Sequence, residues 1–270
     1  MHDLSPKSIA GVDVIPLCDA VGPMGESLRK PLDETFPGAS PTVWEHLCAH
    51  APEAYGLQGE WVLHFHCFLL RIPSGPTVLV DTGLGGTDSP ASSWAPVPGG
   101  LGDVLASAGV AATDVDVVVL THLHSDHASG AVQEGMPAFP NARYVVQRRE
   151  LDWLRGKVHD PVNERIVRPL REAGSLDAAE GRKTLADHVE LVPTPGHTPG
   201  HQSVVVDDHR LVVSGDVVLH PVHLADEMAT YVYDENPGAA AITRAELLRR
   251  IRERDGLLAA PHLPSPFVRP

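Results

Sequence analysis

The amino-acid sequence predicts an α/β fold in which two β-rich layers pack together and helices cover the outside. Strand-like and helix-like segments alternate twice along the chain, and each half begins with strands separated by tight turns. Several apolar strands also run directly into histidine or aspartate residues. With 270 residues the chain can bury a sizeable core, and we expect one domain spanning residues 1–270.

The first half of the chain combines a hairpin with a helix and a buried strand. Apolar patterning and flanking Gly and Pro residues define a strand at 11–19, hairpin strands at 60–72 and 77–83, a helix at 99–109 closed by Gly109, and a buried strand at 114–120. Residues 20–58 are rich in Pro, Gly and Ala and are too long for an idle loop. We therefore expect this segment to wrap the body and cover a cleft.

The second half repeats the alternation of strands and helices. Its predicted elements are a strand at 142–147, amphipathic helices at 148–156 and 162–174, three short strands within 189–218, a helix at 244–256 and a last short strand at 257–262. Thr243 and Glu246 have the spacing of a capping box, so we expect the long C-terminal helix to begin there and to end at Gly256.

Composition and charge exclude several classes of partner. The formal net charge is −14, which repels phosphate backbones and anionic membrane surfaces. No apolar run approaches the ~20 residues that a membrane span requires. The first 17 residues lack the pattern of a signal peptide, and the three cysteines are scattered. We therefore expect a cytoplasmic protein whose three cysteines are buried and whose partner is a small-molecule substrate, with no nucleic acid and no membrane; a homodimer remains open.

The stretch THLHSDH places four metal-ligand side chains directly after the buried strand at 114–120. His122 and His124 are two residues apart and point the same way in an extended loop, so both can reach one ion. Asp126 and His127 follow at the turn into a helix, where they can point toward a second ion. Four such residues in this order favour a metal site over an ordinary polar loop.

Three further residues of ligand type follow short apolar strands in the same way. His197 comes after VELV, Asp216 after RLVV, and His262 ends LLAAPH. In layered α/β folds, sites gather at the carboxyl ends of strands. We therefore expect these residues to share one site with the THLHSDH loop.

The motifs THLHSDH, PGHTPGH, SGD, a late PH and an upstream LVDTG resemble those of the metallo-β-lactamase superfamily, over residues 60–262. The resemblance implies an αββα sandwich of two mixed sheets with helices on the outer faces. It also implies that His122, His124 and His197 hold a first metal, that Asp126, His127 and His262 hold a second, and that Asp216 bridges them. By the same resemblance, Asp81 supports the ligands from behind, and His201 is not a ligand.

The resemblance also implies a chemistry. PGHTPGHQS followed by SGD is most similar to N-acyl homoserine lactonases and methyl parathion hydrolase-like enzymes, although Leu219 stands where those lactonases commonly carry tyrosine. We expect two zinc ions, with manganese, iron or cobalt as alternatives, and a hydroxide that bridges them and opens a small lactone or ester. Asp126 is the candidate proton relay, and Asp216 is the other catalytic candidate.

Two other functions stay open at the level of sequence. One is a non-hydrolytic enzyme of the same fold, a cyclase, lyase or oxygenase of secondary metabolism, which redox-active iron would favour. The other is a phosphotriesterase-like hydrolase.

Four further histidines resemble ligands less well. His64 and His66 share one face of a strand, and we expect them in a polar face or pocket wall. His220 and His223 either line the pocket or face solvent.

Overall fold

The computed structural model describes residues 4–57, 59–157 and 159–270. Within these residues the strands form two large sheets and a two-stranded ribbon. The strands are β1 Lys7–Ile9, β2 Val12–Pro23, β3 Val62–Arg71, β4 Thr77–Val80, β5 Val117–Val119, β6 Val132–Gln133, β7 Met136–Pro137, β8 Arg143–Gln147, β9 Leu176–Ala179, β10 Lys183–Ala186, β11 Val189–Pro193, β12 Gln202–Val206, β13 Leu211–Val213, β14 Leu257–Ala259 and β15 Phe267–Val268.

The helices alternate with these strands, as the sequence predicts. They are α1 Leu32–Thr35, α2 Pro41–His50, α3 Leu101–Ser107, α4 Ser125–Ala128, α5 Arg148–Arg155, α6 Arg168–Glu172, α7 Val222–Ala225 and α8 Pro237–Glu253. A π-helical turn at Asn163–Val167 leads directly into α6, so the helix predicted at 162–174 is present in two parts. No helix among the described residues is both long and apolar enough to cross a membrane.

Both large sheets are mixed, which confirms the predicted sandwich. The first has the order β1-β2-β3-β4-β5-β8-β9 and the second β10-β11-β12-β13-β14-β15. In the first sheet the consecutive pairs β4–β5, β5–β8 and β8–β9 are parallel. In the second sheet β13 and β14 are parallel. The other neighbouring strands are antiparallel.

The core lies between the sheets and beneath the helices because side chains alternate along each strand. In β13, Val213 points into the layer between the sheets and packs in the same cluster as Val80 of the first sheet. Val212 points the other way, into a cluster with Leu248 of α8. On the opposite outer face, Leu105 of α3 belongs to a cluster with Leu79 and other first-sheet residues. Helices therefore cover both outer faces.

The predicted wrapping segment, whose last residue lies outside the described ranges, contributes a third apolar cluster. Phe36, which is fully buried, packs with Trp61, the residue before β3, and with Tyr231. The Tyr233 hydroxyl donates a hydrogen bond to the Leu28 carbonyl at 2.8 Å. These contacts hold the wrapping segment against the chain that follows Asp216.

Three details differ from the sequence prediction. Helix α8 begins at Pro237, six residues before Thr243, because the Asn236 side chain accepts a hydrogen bond from the Ala239 amide at 3.0 Å and caps the helix. Strand β2 continues to Pro23, since an irregularity between Cys18 and Ala20 lets pairing with β3 resume. Of the three cysteines expected to be buried, only Cys67 is; Cys18 is half-buried and Cys48 is exposed.

The strand ends bring the motifs together. Asp81 directly follows β4, and the THLHSDH loop follows β5, which runs parallel to β4. In the second sheet, the residues after β13 and β14 lie side by side for the same reason. Parallel neighbours end at one edge of their sheet, so these loops meet at one end of the sandwich.

Candidate metal centre

The structure brings all seven predicted ligands into two adjacent groups. In each group the ligand atoms lie within 4.8 Å of one another, and nearly all of the side chains are buried. The first group is His122, His124, His197 and Asp216; the second is Asp126, His127 and His262. This division is the one that the resemblance implies, and the metal-binding role of each residue stays a prediction.

Asp216 lies between the groups and faces each with a different oxygen. Its Oδ2 is 3.1 Å from His197 Nε2 in the first group. Its Oδ1 is 3.2 Å from His127 Nε2 and 3.3 Å from His262 Nε2 in the second. Oδ1 is also buried and accepts no hydrogen bond of good geometry. This arrangement is that of a carboxylate able to bridge two cations.

The imidazole nitrogens of each group converge to within hydrogen-bonding distance of one another. His124 Nδ1 lies 3.0 Å from His122 Nε2 and 2.9 Å from His197 Nε2. His127 Nε2 and His262 Nε2 are 3.2 Å apart. Imidazole nitrogens and carboxylate oxygens that converge in this way form the donor set that zinc and similar divalent ions prefer. The residues present therefore fit a pair of metal ions.

The outward-facing nitrogens of these rings are held by neighbouring oxygen atoms. His127 Nδ1 is 2.8 Å from Asp81 Oδ2, His197 Nδ1 is 2.8 Å from Asp234 Oδ1, and His262 Nδ1 is 2.8 Å from the carbonyl of His64. An oxygen acceptor at Nδ1 fixes the proton there and leaves the Nε2 lone pair directed into the site.

Asp81 organises the THLHSDH loop as well as His127. Its Oδ1 accepts the Thr121 amide and its Oδ2 accepts the Thr121 hydroxyl, both at 2.8 Å. Because that hydroxyl donates to Asp81, it is available as an acceptor for His122 Nδ1, 3.0 Å away. Asp81 has a φ of 60°, a conformation that Asp and Asn adopt more readily than most residues.

His201 lies next to Asp216 but belongs to neither group of ligand atoms. Its Nε2 accepts the Asp216 amide at 3.0 Å, so the proton is on Nδ1, which donates to the Thr194 hydroxyl at 2.8 Å. Gly215 allows this approach: it has a φ of 54°, and a Cβ there would lie 2.6 Å from His201 Nε2. His201 therefore holds the backbone of Asp216 in place.

Burial and the carboxylates act in opposite directions on the histidines. Burial, with His197 nearby, lowers the pKa of His124 to about 3. Burial would also lower the pKa of His197 and His262, but Asp216 raises each to about 9. Burial likewise opposes ionisation of Asp216, yet the surrounding histidines hold its pKa well below the ordinary value. The centre thus keeps an ionised carboxylate at its middle.

Two residues near the site were not predicted from the sequence. Asp234 supports His197 from an irregular segment, YVYDEN, that carries no motif. Glu150 contacts two ligand loops but occurs in the sequence as part of an ordinary amphipathic helix. A carboxylate at the third position of a helix is common for capping reasons alone, so it gives no sign of a site.

The other four histidines lie outside both groups. His64 and His66 are buried, and their rings stack at a centroid distance of 5.6 Å. His220 and His223 are fully buried beside Phe36, with ring centroids 5.0 and 5.2 Å from it, so they neither face solvent nor reach the cavity wall.

A cavity of about 200 Å³ opens onto the ligands. Apart from the site residues it is lined mainly by apolar and aromatic side chains, and no Lys or Arg is among the described residues that line it. Its apolar and aromatic wall residues are Met24, Leu28, Trp61, Leu63, Trp94, Leu219, Tyr231 and Tyr233, and Ser125 also lines it. The wrapping segment contributes the first two of these, and the Tyr231 ring lies nearly parallel to that of His197 at 6.0 Å.

Comparison with known proteins adds a family to this geometry. A sequence model of the metallo-beta-lactamase superfamily matches residues 64–262. An N-acyl homoserine lactonase from a Bacillus species is 29% identical over 175 residues, which are 57% of this chain and 61% of that protein. The chain thus spans less than two thirds of the length of this relative.

Two solved structures share the whole fold. The hydrolase AbOPH superposes with a TM-score of 0.79 at 22% identity, covering 98% of this chain and 92% of that one. AidC, a dizinc quorum-quenching lactonase in complex with a product, superposes with a TM-score of 0.76 at 21% identity, covering 97% and 91%. At these identities the likeness is one of fold.

Proposed function

The chain belongs to the metallo-beta-lactamase superfamily, and from this premise we propose that it is a dinuclear metal-dependent hydrolase that opens a small lactone or ester. The observation that carries the proposal is the position of Asp216, whose two oxygens face the two groups at 3.1 and 3.2 Å. A buried carboxylate that directs one oxygen at each group of imidazoles has the arrangement needed to bind two cations at once.

In this proposal each group holds one ion. His122, His124 and His197 would bind the first, Asp126, His127 and His262 the second, and Asp216 both. Zinc is the proposed metal, with manganese, iron or cobalt as alternatives. When bound, the pair would supply a Lewis acid for the substrate carbonyl and an activated water, which is the chemistry that lactone opening by hydroxide requires.

The protein's own side chains orient the substrate and move the proton. Asp126 lines the cavity, and its Oδ2 lies 3.4 Å from both His127 Nε2 and His262 Nε2. It is therefore the ionisable side chain placed to pass a proton to the departing alcohol oxygen. Trp94 donates from Nε1 to the Ser125 hydroxyl at 2.9 Å, which fixes the cavity wall beside Asp126.

The cavity wall supports an uncharged acyl compound as substrate. No cationic side chain among the described lining residues is available to pair with a substrate carboxylate or phosphate, and the acidic surface would repel such anions. The apolar side chains around it suit a short acyl or alkyl group. The lactonase relatives act on lactones by name, and this supports placing lactones first among the candidate substrates.

The test is a hydrolysis screen of zinc-reconstituted protein against lactones, thioesters, aryl esters and phosphotriesters. We expect turnover of uncharged lactones or esters, and no turnover by Asp216→Asn at equal protein concentration. Preferential phosphotriester hydrolysis would favour the phosphotriesterase alternative. Iron in the purified protein, with no hydrolysis of any class, would favour the non-hydrolytic alternative and overturn the proposal.

A further inference from the structure

The Glu150 carboxylate is buried behind the metal centre and is not part of the cavity wall. Its side chain is 0% exposed, and it occupies the third position of α5. Its Oε1 accepts the amide of Leu123 at 3.0 Å, and its Oε2 accepts the amide of Gly200 at 2.9 Å. One carboxylate thus satisfies two backbone donors from loops that are distant in sequence.

Both loops carry ligands of the first group. Leu123 lies between His122 and His124, and Gly200 lies three residues after His197. Among the described residues of the first group, only Asp216 lies outside these two loops. Any change in the spacing between the two amides therefore changes the distance between His197 and the other two histidines.

We propose that Glu150 is a positioning residue for the first metal, because it sets the distance between the THLHSDH and PGHTPGH loops. This inference rests on the proposed metal centre and adds to it the residue that aligns three of its ligands. Glu150 is not part of the cavity wall, and its hydrogen bonds to the Leu123 and Gly200 amides act on the ligands through the loops that carry them.

The chemistry of the contact requires a carboxylate. Two buried amide donors need two acceptors, and an ionised Glu offers one on each oxygen. A Gln of the same shape offers one acceptor and turns the other position into a donor that faces an N–H. The first turn of α5 also favours a negative charge, since the helix dipole is positive there.

Gly200, which has no side chain, allows its loop to lie close to the start of α5. A Cβ at residue 200 would lie 2.2 Å from the Glu150 backbone nitrogen and 2.6 Å from its Cα, so the loop packs directly on the start of α5. The close backbone contact and the two hydrogen bonds together leave the PGHTPGH loop little freedom to move relative to His122 and His124.

If Glu150 only stabilised the fold, its substitution would lower stability without a specific effect on the first metal. Measurements of zinc affinity distinguish this role from the positioning role. Titrations of metal-free protein with zinc, against a chromophoric chelator, are made in a His262→Ala background, which leaves the first group intact. There Glu150→Gln should weaken zinc binding about 10- to 100-fold, the usual effect of removing a group that orients a ligand. In a His197→Ala background, which leaves the second group, the same substitution should change little.

Leu211→Ala is the matched control for lost stability. Leu211 is fully buried at the end of β13 that is distant from Asp216. It should lower the unfolding temperature without changing zinc affinity in either background. If Glu150→Gln does not fold, Glu150→Asp gives the same test, because the shorter side chain cannot reach both amides.

The outcomes separate this inference from the proposed function. Unchanged first-group affinity in Glu150→Gln, with a lowered unfolding temperature, overturns the inference alone. Equal weakening in both backgrounds overturns it as well, because the spacing between the two loops bears on His197, which only the first group contains, whereas Asp126 and His127 lie in the same loop as Leu123. A wild-type protein that binds no zinc overturns both the metal centre and this inference. Tight zinc binding without hydrolysis overturns the proposed function and leaves Glu150 as a positioning residue.

Discussion

Asp81→Asn is the substitution for which the structure allows the effect to be estimated most closely. The Asp81 carboxylate accepts three hydrogen bonds, from the Thr121 amide, the Thr121 hydroxyl and His127 Nδ1, each at 2.8 Å. Asn has nearly the same shape and also tolerates the φ of 60° found at this position. The substitution therefore changes the hydrogen bonding without a backbone penalty.

In the variant one carboxylate oxygen becomes an NH2 group, which must face at least one of these donors. A hydrogen bond to a charged group contributes about 1.5–3 kcal/mol, so the free energy of unfolding of metal-free protein should fall by about that amount. Zinc affinity at the second group should fall about 10- to 100-fold, because the tautomer and orientation of His127 are no longer fixed.

The assay pairs urea unfolding of metal-free protein with zinc titration against a chelator. Asp116→Asn is the matched control: Asp116 accepts the Thr77 amide at 2.8 Å at the opposite ends of β4 and β5, so zinc affinity should not change there. If Asp81→Asn loses stability but binds zinc as tightly as wild type, Asp81 supports the fold and not the metal centre.

Four further predictions concern other parts of the site and fold. Asp216→Ala should reduce bound zinc below two ions per chain and remove hydrolysis, as metal analysis and rate assays would show; two retained ions would argue against bridging. Asp126→Asn should slow substrates with basic leaving groups more than activated aryl esters, and an equal loss across a leaving-group series at unchanged metal content would leave Asp126 without a proton-relay role. His201→Ala should keep its metal whereas His197→Ala should not, and equal metal loss in both would place His201 among the ligands. Burial would raise the pKa of Asp177, but ion pairs with Lys183 and Arg143 lower it, so its contribution to stability is present above the unfolded pKa of about 3.9 and is lost as pH falls through the folded value. The difference in unfolding midpoint between wild type and Asp177→Asn should therefore be largest near neutral pH and shrink below about pH 4; a constant difference would contradict this.

The sequence predicts well those parts of the fold that depend on the pattern of apolar and polar residues within a short segment. The apolar runs before Asp81, His122 and Asp216 are strands in the structure, and the residues after them meet at one edge. A residue that directly follows an apolar strand must lie at the edge of the sheet where that strand ends. The sequence therefore predicts that the seven residues lie together. Their role as ligands rests on the proposals above.

What the sequence does not reveal depends on contacts between distant segments. Asp234 and Glu150 act on loops 37 and 50 residues away, respectively, and neither lies in a motif. Helix α8 starts before Thr243 because Asn236 caps it, while the Thr243 hydroxyl, despite its capping-box spacing, donates to the Pro195 carbonyl at 2.6 Å. For Asp234 and Glu150 the partner that decides the role is far along the chain, whereas the cap of α8 is a local contact between Asn236 and Ala239.

The measurement that tests the central claim most directly is lactone hydrolysis by metal-stripped protein during titration with zinc. If the two groups hold two ions joined by Asp216, activity should be absent without metal and should rise to a break at two equivalents per chain. Activity that survives complete metal removal, or that saturates at one equivalent, would contradict a dinuclear metal-dependent hydrolase.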